Sequence, residues 1–136
     1  MLLFVCTGNT CRSPLAAAMA RALGAEAASA GLNACEGAPA SEGAIRAAAR
    51  RGLDLTGHRA RQVTEAMMRE AERVYTMTNA HAEALKSAFP AEKDKVSALS
   101  PAISDPFGGG DDVYENCAWD LEDALKICLS RSGKTP

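Results

Sequence analysis

Residues 2–5 read Leu-Leu-Phe-Val, an unbroken apolar run without the polar alternation of a strand that has one face in water. Such a strand has to be covered on both faces, which calls for helices on either side of a parallel sheet. Downstream, Ser13-Pro14 predicts a helix start, the serine able to cap and the proline suited to the first turn, and Gly24 stops the helix after Leu23. Ala25 to Ala30 predicts a second strand by its position between a helix and Gly31. Ala44, Ile45, Ala48 and Ala49 share a helical face within Ser41 to Arg51, and Gly52 ends it. A further helix is expected over Thr64 to Ala71, then a strand over Arg73 to Met77, with Thr78 as the cap of a helix over Asn79 to Ala88. Val96 to Leu99 is the last predicted strand, and the prolines and three consecutive glycines of Ser100 to Asp112 make that stretch a loop. Val113, Cys117, Ala118, Leu121, Ala124, Leu125, Cys128 and Leu129 recur at helical spacing and predict a closing helix. The fold class is therefore α/β: one three-layer domain with a short central parallel sheet of about four strands flanked by helices.

Composition narrows the function classes. With 136 residues, 47% hydrophobic and 24% charged, the chain suffices for one core, so residues 1–136 read as a single domain with a frayed tail at 131–136. A net charge of -2 with no long single-sign stretch gives no field for a polyanion, and nucleic acid is not an expected partner. The run at 2–5 is far shorter than a signal core or a membrane span, so a cytoplasmic protein without membrane contact is expected. Five cysteines, an odd number, read as reduced thiols. Against 28 alanines stand only eight Val plus Ile, which favours helices as the bulk of the fold.

In open parallel sheets ligands bind beyond the carboxyl ends of the strands, which directs attention to the loop after Val5. It reads Cys6-Thr7-Gly8-Asn9-Thr10-Cys11-Arg12-Ser13-Pro14 and joins a buried strand to a helix N-terminus, where free amides and partial positive charge favour an anion. Gly8 is expected to supply positive φ and Asn9 is the next most tolerant residue, so Thr7 to Ser13 can curl into a ring of phosphate-binding donors. Arg12, returning across the ring, offers a planar two-point grip on phosphate oxygens. Cys6 would sit at the bottom as a thiolate nucleophile, with the Ser13 hydroxyl placed to donate to its sulfur.

Cys6 to Pro14, almost at the N-terminus, resembles the signature loop of the low-molecular-weight protein tyrosine phosphatases. The likeness runs on through Ser29-Ala30-Gly31, Gly57 to Gln62, Met77-Thr78 and Asp105-Pro106-Phe107. The resemblance implies the fold of that family, Cys6 as nucleophile, Arg12 as phosphate binder and Asp105 as general acid. It implies phosphorylated protein substrates and inorganic phosphate as product. No metal or cofactor is expected, since Arg12 and the loop amides supply the charge stabilisation.

Thr10 and the segment Asp105-Pro106-Phe107-Gly108-Gly109 resemble the protein arginine phosphatase branch of the family more than the tyrosine branch. A β-branched hydroxyl residue at 10 narrows and polarises the pocket, favouring a guanidinium over a phenyl ring, so Thr10 and Phe107 are the expected specificity residues. Phosphotyrosine is the alternative substrate. Arsenate reductases share the loop but need relay cysteines around Tyr75 to Phe89, where this chain has none. A cysteine phosphocarrier would gain nothing from Asp105. Cys11 can close a reversible disulfide with Cys6, a protection that the family shows. His58 and His81 receive no catalytic or metal role, the resemblance implies Ser29 as a support of the loop outside the catalytic set, Cys117 and Cys128 read as core, and a monomer is expected.

Overall fold

The computed structural model describes residues 1–131. Its elements run β1 (Leu2–Cys6), α1 (Arg12–Ala22), β2 (Ala27–Gly31), α2 (Glu42–Ala49), α3 (Glu65–Glu70), β3 (Arg73–Thr76), α4 (Asn79–Ala88), β4 (Val96–Ala98) and α5 (Asp111–Arg131), with a 3₁₀ turn over Pro90–Lys95. The strands form one parallel sheet in the order β2-β1-β3-β4. Every residue of β1 is buried, which explains the unbroken apolar run: Leu2, Phe4 and Cys6 face the layer of α1, α2 and α5, while Leu3 and Val5 face α3 and α4. The tail expected to fray lies outside the described residues, apart from Arg131, which closes α5.

Most predicted elements stand, with corrections that have physical causes. β2 is shifted to Ala27–Gly31, because pairing with β1 sets Gly31 opposite Cys6. Ser13 does not cap α1. The helix opens one residue earlier at Arg12 with Cys11 as N-cap and no side-chain cap, since the Ser13 hydroxyl is committed to Cys6 and Asn9. In α2 the buried face is Gly43, Ala44, Ala47 and Ala48; Ile45 is half-buried and Ala49 exposed. The rotation follows from Gly43, where the Tyr114 ring packs so closely that a Cβ would come within 2.4 Å of it. In α5 that same Tyr114 is buried and Val113, at the edge of the apolar stripe against Gly109, is 40% exposed. Cys117 and Cys128 are core residues as expected, and burial pushes the Cys117 thiol up to about 12.

Thr64 and Thr78 accept from Met67 N and His81 N and so cap α3 and α4, while Ser41 accepts from Ala44 N and caps α2. The order of strands reverses between β1 and β3, and the carboxyl ends of these two parallel strands lie side by side there. That reversal is where an open α/β sheet leaves a crevice.

Candidate active site

The loop after β1 curls with the carbonyls of Thr7, Asn9, Thr10 and Cys11 drawn outward. Asn33 N donates to Thr7 O at 2.8 Å, His58 Nε2 to Asn9 O at 2.7 Å, Ser41 N to Thr10 O at 2.9 Å and Leu15 N to Cys11 O at 3.3 Å. Among the described residues, the main-chain N–H groups of residues 7–13 have no carbonyl partner. A curled segment whose carbonyls point out presents its amides inward, and this concavity at the N-terminus of α1 is suited to an anion.

The residue that permits the curl is Asn9 rather than Gly8. Asn9 has φ 58°, and Gly8 is not among the positive-φ positions. Asn9 is also fully buried, and its side chain is bonded on both ends. Nδ2 donates to Ser13 Oγ and Ser29 Oγ, each at 2.9 Å, while Oδ1 accepts from Arg61 N at 3.0 Å. Ser29 thus does support the loop. Gly31 is the glycine that the loop needs for space: a Cβ there would meet Thr7 O at 2.7 Å and Asn9 N at 3.1 Å.

Cys6 is 3% exposed, and its Sγ lies 2.9 Å from Ser13 Oγ. Because Ser13 Oγ already accepts from Asn9, its proton is left to donate, to Cys6 or to Ala30 O at the longer 3.4 Å. Arg12 is buried; Nη1 donates to Ile103 O at 3.0 Å and Nη2 lies 3.8 Å from Asp105 Oδ2. Asp105 is half-exposed and its Oδ1 accepts from Phe107 N at 3.0 Å. A cavity of about 240 Å³ is lined by Cys6, Thr7, Gly8, Thr10, Cys11, Arg12, Asp105 and Phe107. Nucleophile, cation and acid, predicted from positions 99 residues apart, share one wall. Two cavities elsewhere, of about 390 and 210 Å³, are lined by none of these groups.

Three features escape a reading of the sequence. His58, given no role, holds the Asn9 carbonyl, and burial lowers its pKa against the opposing pull of that carbonyl. His81, also given none, touches the loop through Thr7 Oγ1 at 2.9 Å. Cys11 is bonded to Ser41 Oγ at 3.2 Å and lies 3.6 Å from Tyr114 Oη, so α2 and α5 both buttress the cavity wall. Burial raises the Tyr114 phenol. Only His81 leaves a signal: Thr78 as a cap puts it in the first turn of a helix that starts at a carboxyl strand end.

Comparison with known proteins shows which family the chain resembles. A family model described as low molecular weight phosphotyrosine protein phosphatase matches residues 1–134. A protein-arginine-phosphatase of Geobacillus stearothermophilus is 40% identical over 89% of this chain and 88% of its own. The low molecular weight protein-tyrosine-phosphatase PtpB of Staphylococcus epidermidis is 35% identical, over 93% of this chain and 96% of its own. A solved YwlE arginine phosphatase mutant with a phosphorylated active-site serine superposes with a TM-score of 0.93 at 32% identity, covering 98% of this chain and 95% of that one.

Proposed function

Because the chain belongs to the low molecular weight phosphotyrosine protein phosphatase family, we propose that it removes phosphate from phosphoarginine in proteins through a cysteinyl-phosphate on Cys6. The observation that carries the arginine reading is that Thr10 and Asp105 line the same cavity as Cys6. A guanidinium presents only N–H donors, and this wall offers it a hydroxyl and a carboxylate. The resemblance to protein-arginine-phosphatases supports the same reading.

Phosphate enters the ring of inward amides with Arg12 at its side, and the Cys6 thiolate attacks phosphorus. As the S–P bond forms, the P–N bond breaks and Asp105 gives its proton to the departing arginine nitrogen. The carboxylate left behind takes a proton from water, which attacks the cysteinyl-phosphate, breaks the S–P bond and frees inorganic phosphate. The Ser13 hydroxyl, held by Asn9, donates to the sulfur when it leaves as thiolate. An exposed Phe107 at the rim favours an aryl substrate as the second reading, with the same steps and a P–O bond in place of P–N.

The deciding experiment compares phosphate release from phosphoarginine and phosphotyrosine peptides for wild type, Cys6→Ser and Asp105→Asn. Preference for phosphoarginine, abolished in Cys6→Ser and reduced roughly 10²–10⁴-fold in Asp105→Asn, is expected. Preference for phosphotyrosine keeps the mechanism and discards the arginine assignment.

Cys11 gives the site a redox guard. Peroxide oxidises Cys6 to a sulfenic acid, and the Cys11 thiol, leaving Ser41 and Tyr114, displaces water to form a Cys6–Cys11 disulfide that a dithiol reduces. Activity lost to peroxide is expected to return with dithiol in wild type and not in Cys11→Ser; equal recovery in both sinks the pairing. The protein acts as a cytoplasmic monomer in this proposal.

A further inference from the structure

His81 is unexplained by the mechanism above. It is 9% exposed, its Nε2 lies 2.9 Å from Thr7 Oγ1, and its Nδ1 is buried without a hydrogen-bond partner among the described residues. An unpaired buried ring nitrogen is costly, and an apolar ring at this place in α4 would avoid the cost, so the contact with Thr7 needs a reason. Burial and the neighbouring Arg12 both favour the neutral ring, with Asp105 opposing them.

A neutral imidazole carries one N–H. On Nε2 it donates to Thr7 Oγ1 and leaves that oxygen one lone pair; on Nδ1 it lets Nε2 accept the Thr7 proton and leaves both. In each tautomer Thr7 Oγ1 keeps an acceptor site, and the side chain is prevented from turning away. Thr7 is exposed and lines the cavity beside Cys6 and Asp105. We propose that His81 is a positioning residue that fixes Thr7 Oγ1 as a third acceptor, beside Thr10 and Asp105, for a guanidinium N–H of the substrate. The inference rests on the phosphoarginine reading, because an aryl phosphate has no N–H to offer at that point.

The test measures kcat and KM of His81→Phe, Thr7→Val and the double variant on a phosphoarginine peptide and on p-nitrophenyl phosphate. Each single variant is expected to raise KM for phosphoarginine about five- to tenfold, the loss of one hydrogen bond, and to raise KM for the aryl phosphate, which shares the phosphate ring but offers no N–H, by a clearly smaller factor. The double variant is expected to be no worse than either single one, and His81→Gln, whose amide nitrogen reaches the Nε2 position, to recover most of the loss. Equal losses on both substrates would mark a merely structural histidine and overturn the proposal, as would additive losses in the double variant. Should His81→Phe fail to fold, Thr7→Val at its exposed position decides alone. A wild type without phosphoarginine activity overturns the functional reading and this inference together, whereas an active wild type with equal losses overturns only the inference.

Discussion

In the proposed reaction Thr10 has to separate a phenyl ring from a guanidinium within a wall it shares with Asp105. Thr10→Ile replaces the hydroxyl by an ethyl group, so the ratio of phosphoarginine to phosphotyrosine kcat/KM is expected to fall about tenfold or more, and an unchanged ratio would count against Thr10 as the selector. Residues whose proposed roles are local are legible in the sequence: Cys6, Arg12 and Ser13 lie within one unit, an apolar strand, a glycine-containing loop and a Ser-Pro helix start, and that context rather than the spacing alone points to the chemistry. The sequence marks Asn9 only as tolerant of an unusual backbone conformation, because its three side-chain partners, Ser13, Ser29 and the Arg61 amide, come largely from distant segments. His58 and His81 are hard to single out for the same reason. A lone histidine in a sequence is most often structural, and only strand register brings these two to the loop.

At the scale of elements, the apolar β1 and the long periodic α5 are legible, whereas β2, Ala-Ala-Ser-Ala-Gly, has almost no strand propensity and exists because β1 pairs with it. The α2–α5 contact is legible only in part, because alanine-rich helices leave their facing side undetermined until a partner arrives. Here that partner is Tyr114 on Gly43. Gly43→Ala drives a methyl group to 2.4 Å from a buried ring and is expected to destabilise the fold by about 1–3 kcal/mol, read from the denaturant midpoint. Since Tyr114 Oη also touches Cys11, activity is expected to fall with stability. Around that contact, Arg50 and Arg51 grip Glu115 at 2.6 and 2.9 Å, Arg51 pairs with Glu122, and Arg46 reaches Asp111 at 2.8 Å. Arg51 first and then Arg50 hold the Glu115 carboxyl down to about 2.

The molecule as a whole carries these local shifts into its response to pH. His58 and His81 both have folded pKa values below the ordinary 6.5, so the unfolded chain takes up protons first as pH falls. Stability is therefore full above about pH 6.5 and is lost on acidification through the range between the unfolded and folded values. The Glu115 contribution, depressed from 4.5 to about 2, is lost later, below about pH 4.5. Urea midpoints between pH 7.5 and 5 are expected to fall for wild type and to flatten in His58→Gln combined with His81→Gln; identical slopes would refute the assignment. The bond from Arg12 to Ile103 O spans 91 positions. A ribosome adding roughly 5–20 residues each second makes the nucleophile loop about 5–20 s before the segment that orients its arginine. Through that interval the nascent chain already bears Cys6 but has neither the anchor for Arg12 nor Asp105. Under the proposed mechanism, a chain terminated before Ile103 and Asp105 is therefore expected to release no phosphate.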